Sequence, residues 1–140
     1  MAVSGNSFLF CDKSSYKSLR NRFEALGYKT VSLPQGYVKC SCALLADGAI
    51  ITADRGIAKI TQAEGIDTLL ITPGFVDLPG YDYGFIGGAS GLCGDTLYFC
   101  GNLEHHPDCE AIKDFALRHG TKCVSLGENK LYDVGSLIFI

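Results

Sequence analysis

The chain has 140 residues, of which 47% are hydrophobic and 19% charged, and it is long enough to form one domain with a substantial apolar core. Its formal net charge is −3 and its twelve Lys and Arg are scattered, which argues against nucleic acid or an anionic membrane as a partner. No segment approaches the roughly 18 apolar residues of a membrane span, and the first residues lack the basic and apolar regions of a signal peptide, so we expect neither membrane insertion nor secretion.

The first predicted elements are a strand over 7–12, a helix over 15–26 and a strand over 29–33. In the helix, apolar residues recur at helical spacing and form one stripe: Tyr16, Leu19, Phe23 and Leu26. Ser14 or Ser15 is expected to cap the helix. Gly27 is expected to end it, because glycine adopts the left-handed conformation without steric cost.

A second strand, helix and strand follow over 49–71. Asp54 ends the first strand and is placed to cap a short helix over 56–63. We expect this helix to be the weakest of the three because it carries a glycine early. The apolar run 68–71 is typical of a strand that is buried on both faces.

A third run of the same kind begins with a strand over 96–101. Pro107 suits the first turn of a helix over 109–118, which Gly120 ends and a strand over 122–126 follows. The core face of this helix is predicted to carry three residues: Ile112, Phe115 and Ala116. The apolar segment 136–140 predicts a last strand, which must be buried or would be an aggregation-prone edge.

These three runs align with one another and predict an internal repeat with a period of about 45 residues. Each run is followed by a third β-rich segment with a tyrosine and a polar residue, at 37–40, 81–82 and 132–133. One such unit cannot bury both faces of its sheet, so the units must pack together. We therefore predict one α/β domain, 1–140, of three β-α-β-β repeats over about 7–46, 49–90 and 95–140.

Cysteine is abundant, with seven residues in the chain, and its spacing matches no zinc-binding pattern. Cys40 and Cys42 are one residue apart, which is too close for the usual metal-binding pair. Three others, Cys11, Cys100 and Cys123, lie in predicted strands, where a free cysteine packs as a small apolar side chain. We therefore expect free thiols, no metal and a reducing, cytoplasmic location.

The repeated α/β unit with a polar residue on its last strand resembles the pentein fold, the α/β propeller of guanidine-modifying enzymes such as arginine deiminases, dimethylargininases and amidinotransferases. Within that superfamily, the chain is similar to an uncharacterised bacterial family in five segments: 34–42, 49–54, 78–91, 106–108 and 133–137. Penteins have more units than the three found here. The resemblance therefore implies either a short version that completes itself as a homo-oligomer or a fragment of a longer protein.

The resemblance also implies a site in the central channel, which the innermost strand of each propeller unit lines. If the third β-rich segment is that strand, Cys40, Asp82 and Asp133 converge near one axis. A cysteine thiolate, favoured here by the neighbouring Lys39, would attack a guanidine carbon, and the carboxylates would hold the planar cation. The alternatives are a packing cysteine, and aspartates that cap turns by accepting backbone N–H groups.

A pentein hydrolase also needs a histidine, which is often written His-x-Asp. His106, Pro107 and Asp108 have those letters, but they precede a helix instead of lying on an inner strand. In the alternative reading, Asp108 stabilises the helix N-terminus. The glycine-rich segment 84–91 lacks the Lys-Ser/Thr of a phosphate loop, so we expect no nucleotide cofactor. Its glycines are expected to permit a left-handed turn and close strand approach.

Two functional hypotheses follow from these residues. The first is a pentein-like protein that binds or hydrolyses a small guanidine- or amine-bearing ligand, as a deiminase-like hydrolase would, without a cofactor. The second is a catalytically silent binding or assembly module that oligomerises through exposed sheet edges. The missing inner-strand histidine favours the second hypothesis.

Overall fold

The computed structural model describes residues 1–11 and 17–140, and its strands form three three-stranded sheets with one common plan, together with a two-stranded pair. In chain order the helices and strands are β1 (Ala2–Ser4), β2 (Ser7–Phe10), α1 (Lys17–Ala25), β3 (Lys29–Ser32), α2 (Val38–Ser41), β4 (Cys42–Leu44), β5 (Ile50–Thr52), α3 (Arg55–Ala63), β6 (Thr68–Leu70), β7 (Val76–Asp77), β8 (Ser90–Cys93), β9 (Thr96–Phe99), α4 (Cys109–Arg118), β10 (Lys122–Ser125) and β11 (Leu131–Tyr132). A 3₁₀ turn, Leu103–His105, precedes α4.

Each three-stranded sheet starts with an antiparallel hairpin and ends with a parallel strand that is reached through a helix. The orders are β1-β2-β3, β4-β5-β6 and β8-β9-β10, with the helix before the third strand in every case. The registers correspond as well, since Leu9 lies opposite Val31, Ile51 opposite Leu69 and Leu97 opposite Cys123. The structure is therefore an α/β fold in which one local arrangement recurs in three sheets.

The middle strand of the second sheet separates two apolar clusters. Ile50 packs into the cluster shared with the first sheet and α3, and Ile51 packs into the cluster shared with the third sheet and α4. Neither side chain is exposed to solvent, because alternate residues of a strand point to opposite faces of the sheet. The strand predicted to be buried on both faces, 68–71, instead forms an edge, and Leu70 is 43% exposed.

The helix ends confirm the turn chemistry of the sequence. Asp54 caps α3, since its Oδ1 accepts a hydrogen bond of 2.8 Å from the Ile57 backbone N–H. Gly27, Gly65 and Gly120 follow their helices with φ values of +84°, +78° and +65°. The core-facing residues of α4 are also confirmed, because Ile112, Phe115 and Ala116 are buried.

The early glycine of α3 suggests that this helix is the weakest, but α3 buries more of its side chains than α1 does. Three residues of α3 are buried, among them Ile57, whereas α1 buries none. In the predicted stripe of α1, Leu19 and Phe23 are half-buried and Leu26 is 63% exposed. Tyr16 and the proposed caps Ser14 and Ser15 lie outside the described residues.

The third β-rich segment is where the predicted repeat order is wrong. Residues 38–41 form the one-turn helix α2, because Tyr37 leaves the extended conformation and its carbonyl accepts from Ser41 N at 2.9 Å. Tyr81 and Asp82 lie in a turn that Leu78 O and Tyr81 N close at 3.1 Å. Only β11 is a strand, and it pairs with β7. The extra strand of each sheet thus precedes the middle strand, giving the order β-β-α-β.

The segment 136–140 is not a strand, contrary to expectation. Its side chains differ in their packing: the Phe139 ring lies 5.2 Å from the Tyr98 ring, whereas Ile138 is 84% exposed. No helix in 1–11 or 17–140 combines the length and apolar character that crossing a bilayer requires.

Several contacts between the sheets involve turns near the C-terminal ends of the helices. The Ser4 hydroxyl donates to the Gly48 carbonyl, which joins the hairpin turns of the first two sheets. His119, at the end of α4, contacts Asp47 at 2.7 Å and Asp67 at 3.0 Å. These contacts hold the second sheet between its two neighbours.

The glycine-rich segment 84–91 serves close backbone approach. The left-handed turn expected there is absent, because none of its glycines has a positive φ. A Cβ on Gly87 would overlap the backbone carbonyls of Lys39 and Cys42, and one on Gly91 would come within 2.7 Å of the Leu137 Cβ. The predicted close approach is confirmed.

We expect Gly87→Ala to lower the free energy of unfolding by roughly 1–3 kcal/mol, because the added methyl group meets backbone that cannot rotate away. Gly36→Ala is the matched control, since its φ is not positive and no atom lies within 4 Å of the added Cβ. Urea unfolding of both variants measures the difference. Equal stability of the two variants would contradict this packing role.

Candidate functional site

Cys40 and Asp133 are the two predicted site residues that the structure brings into one neighbourhood. Cys40 donates from its Sγ to the Gly135 carbonyl at 3.5 Å, and its own carbonyl accepts from Gly88 N at 2.9 Å. The chain around Asp133 joins the same group, since Val134 N donates to Gly88 O at 3.2 Å. Three segments distant in sequence therefore meet at this point.

Asp133 uses its carboxylate to hold backbone. It is 7% exposed, and its two oxygens accept from Phe85 N at 2.9 Å and Gly135 N at 2.8 Å. Gly84 and Gly88 leave the room that the carboxylate occupies, because a Cβ at either position would overlap Asp133. These contacts match the alternative in which the aspartate caps a turn by accepting backbone N–H groups.

Asp82 and His106 lie elsewhere. Asp82 is exposed in the turn after Gly80 and forms no hydrogen bond or ion pair with Cys40 or Asp133 among the described residues. His106 is 3% exposed, accepts from Asp108 N at 3.0 Å through Nδ1, and packs against the Phe75 ring at 5.4 Å. Burial lowers its pKa, although the Asp108 carboxylate acts in the opposite direction.

Asp108 joins α4 to the loop after β6 instead of capping its own helix. Its side chain forms no capping hydrogen bond, and its Oδ2 accepts from Thr72 N at 2.6 Å. That backbone hydrogen bond is the main reason why the pKa of Asp108 lies below its usual value. The His106–Asp108 turn is therefore a structural junction between two sheets.

Six cysteines are free thiols: Cys40, Cys42, Cys93, Cys100, Cys109 and Cys123. Burial raises the pKa of Cys42 to about 12, so this thiol stays protonated at neutral pH. Near the start of α4, one ligand atom each from Glu104, Cys109 and Glu110 lies within 4.8 Å of the other two. Lys113 contacts both carboxylates, so a cation of the chain already offsets part of their charge.

A cavity of about 370 Å³ lies at the carboxyl end of β5, where the sequence indicated only a helix cap. Besides capping α3, Asp54 accepts from Gln35 Nε2 at 2.7 Å through Oδ2, and Gln35 accepts from the Ser41 hydroxyl at 3.2 Å. The residues that line the cavity are Ser41, Ala53, Asp54, Arg55, Gly56, Pro73, Tyr83, Phe85 and Ile86.

Two aromatic side chains, Tyr83 and Phe85, line this cavity. Tyr83 is 45% exposed, and Phe85 stacks on Tyr37 with 6.1 Å between ring centroids. A carboxylate and aromatic side chains in one lining are groups that attract organic cations, and the exposed Arg55 of the same lining suits an anionic group. The sequence signal that would have located the cavity is Asp54 directly after a fully buried strand, since ligands in α/β folds bind at the carboxyl ends of strands.

The hydrogen bond between the Asp108 carboxylate and Thr72 N predicts that the free energy of unfolding depends on pH. Because the pKa of Asp108 is lower in the folded than in the unfolded protein, its contribution is complete above about pH 4 and is lost as the pH falls through the folded-state value. Asp108→Asn keeps an acceptor for Thr72 but does not titrate. We expect its urea midpoint to fall less between about pH 5 and pH 3 than that of the wild type.

Asp114→Asn, an exposed position on α4, is the control and should keep the wild-type pH profile. Parallel profiles of Asp108→Asn and the wild type would show that the Thr72 contact does not carry the effect.

Comparison with known proteins places the chain in a family. No curated protein and no solved structure matches it. Residues 1–138 match a family described as a family of unknown function, DUF6873. This match covers nearly the whole chain, including every residue that lines the Asp54 cavity and the turn at Asp133, and the protein therefore belongs to the DUF6873 family.

Proposed function

We propose that the protein is a pentein-like α/β propeller domain that binds a small guanidine- or amine-bearing ligand in the cavity at the carboxyl end of β5. The recurrence of one strand order in three sheets supports the propeller arrangement. The single observation that carries the binding proposal is that the Asp54 carboxylate and the Tyr83 and Phe85 rings line one cavity of about 370 Å³. That volume lies within the range of ordinary small-molecule sites.

The charges of the cavity suit a ligand with one cationic end. A guanidinium or ammonium group would share Asp54 with the Gln35 amide and stack against an aromatic face. Arg55 would accept a carboxylate at the other end of an amino-acid-like ligand. Because Gln35 and Ile57 already orient Asp54, little further ordering is needed on binding.

The proposal is for binding without hydrolysis. A thiolate mechanism needs a base within hydrogen-bond reach of the nucleophile. In the described residues, the partner of Cys40 Sγ is a backbone carbonyl, and His106 is buried in the junction with Asp108. Free thiols such as those of Cys40 and Cys42 also suit the cytoplasmic location that belongs to this proposal.

Arginine, which carries a guanidinium group at one end and a carboxylate at the other, is the probe for this cavity, and isothermal titration calorimetry is the measurement. We expect arginine to bind the wild type, and Asp54→Asn, which keeps the helix cap, to weaken binding by about tenfold or more through loss of the charged partner. Asp114→Asn removes the same charge from an exposed site and should bind like the wild type.

Equal weakening by both substitutions would show a general charge effect and would contradict the site. Assays of the same samples should detect neither ammonia nor urea. Release of either product would restore the hydrolase hypothesis.

The second hypothesis, assembly, has its own supporting observation. β10 is an edge strand whose side chains are mostly exposed, with Val124 38% exposed and Leu126, just beyond it, 56% exposed. Its unpaired N–H and C=O groups offer a template for another strand. We propose that a second copy of the chain pairs with this edge.

Sedimentation velocity at micromolar concentration tests the assembly. We expect a dimer or larger species for the wild type, and a shift toward monomer for Val124→Lys, because a charge on the edge strand opposes pairing. Leu117→Lys changes an even more exposed apolar residue, 70% exposed on α4, and should leave the assembly intact. A monomeric wild type would contradict edge pairing.

A further inference from the structure

A second cavity, of about 470 Å³, lies where the first strands of the three sheets approach one another. Each of these strands, β1, β4 and β8, is an edge strand of its sheet. The residues that line it are Val3, Gly5, Lys39, Cys42, Ala43, Leu44, Leu45, Ala46, Ser90, Gly91, Leu92, Leu97 and Leu137. The strands that surround a common space are therefore not the third β-rich segments predicted from the sequence.

The wall combines aliphatic side chains with strand edges. Leu44, Leu92 and Leu137 are half-buried, so each leaves apolar surface that a ligand would cover. Residues of three edge strands belong to the same lining, and edge strands carry backbone N–H and C=O groups without a strand partner. A ligand that fits must have both an apolar body and a polar end.

Lys39 decides the charge of that polar end. It is the one charged residue of the lining, and it is half-buried. Its Nζ donates to the neutral Gly87 carbonyl at 2.8 Å, and among the described residues it forms no ion pair. The neighbouring carboxylate, Asp133, is already bonded to two backbone N–H groups. A partly desolvated cation without a bonded anion favours an anionic ligand.

We infer that this cavity binds a small aliphatic carboxylate, with its carboxylate beside Lys39 and its chain against Leu44, Leu92 and Leu137. The volume suits a small molecule. The lining contains no acidic residue, so it would not accept the organic cation proposed for the Asp54 cavity. The two linings share no residue, and only the Asp54 cavity contains a carboxylate.

Hexanoate is the probe, with hexanamide and hexylamine as matched neutral and cationic ligands of the same chain length. We expect calorimetry to show hexanoate binding about tenfold or more tightly than either analogue, because only the carboxylate pairs with the ammonium group. On addition of hexanoate, the backbone amide resonances of Leu44 and Leu92 should shift in nuclear magnetic resonance spectra, and those of Ala53 and Gly56 should not.

Variants separate the charge from the packing. Lys39→Met keeps the aliphatic stem and should weaken hexanoate binding to the level of hexanamide, whereas Lys59→Met, an exposed position on α3, should leave it unchanged. If Lys39→Met does not fold, Lys39→Arg keeps the charge and should retain the preference for hexanoate. Asp54→Asn should bind hexanoate normally, so failure of the proposed arginine site at Asp54 does not affect this test.

The inference would be overturned by no hexanoate binding, by equal binding of hexanoate and hexanamide, or by resonance shifts confined to the Asp54 cavity. Tighter binding of the tripeptide Leu-Leu-Ala than of hexanoate would also overturn it. That result would show that the open strand edges take an added strand in place of a small acid.

Discussion

The burial of β5 on both faces is the constraint on which the rest of the structure depends. Ile50 and Ile51 are adjacent in sequence, yet each anchors a different apolar cluster, so the second sheet belongs to both cores at once. Full burial of one such side chain contributes about 1.5–3 kcal/mol. A polar residue at either position would weaken the contact of the second sheet with one of its neighbours.

A second constraint is the close contact between segments 84–88 and 133–135 and the one-turn helix α2. Asp133, which looks like an active-site carboxylate in the sequence, closes this contact by accepting backbone N–H groups. The glycines are needed because the carboxylate and the neighbouring carbonyls occupy the space of their missing side chains. Cys40 lies in the same junction, so a motif typical of catalysis here has a packing explanation in every contact that the structure describes.

The two cavities differ in the charged side chains that line them, and this difference follows from their positions. The Asp54 cavity lies at the carboxyl end of β5, where the helix cap Asp54 and the neighbouring Arg55 share a lining with aromatic side chains. The Lys39 cavity lies among three edge strands, where α2 contributes the only charged side chain of the lining. The carboxylate of Asp54 and the ammonium group of Lys39 therefore lie in separate cavities.

The sequence by itself determined the local elements: the helix cap at Asp54, the glycines after three helices and the core face of α4 depend on interactions within a few residues. It also indicated three similar units. Only the tertiary structure decided which strands are central, because the runs 50–52 and 68–70 are equally apolar and differ only in their neighbours. The same holds for the candidate sites. Whether Asp133, Asp54 or Lys39 faces backbone, a cavity or solvent depends on segments up to 48 residues away, and no local pattern records those contacts.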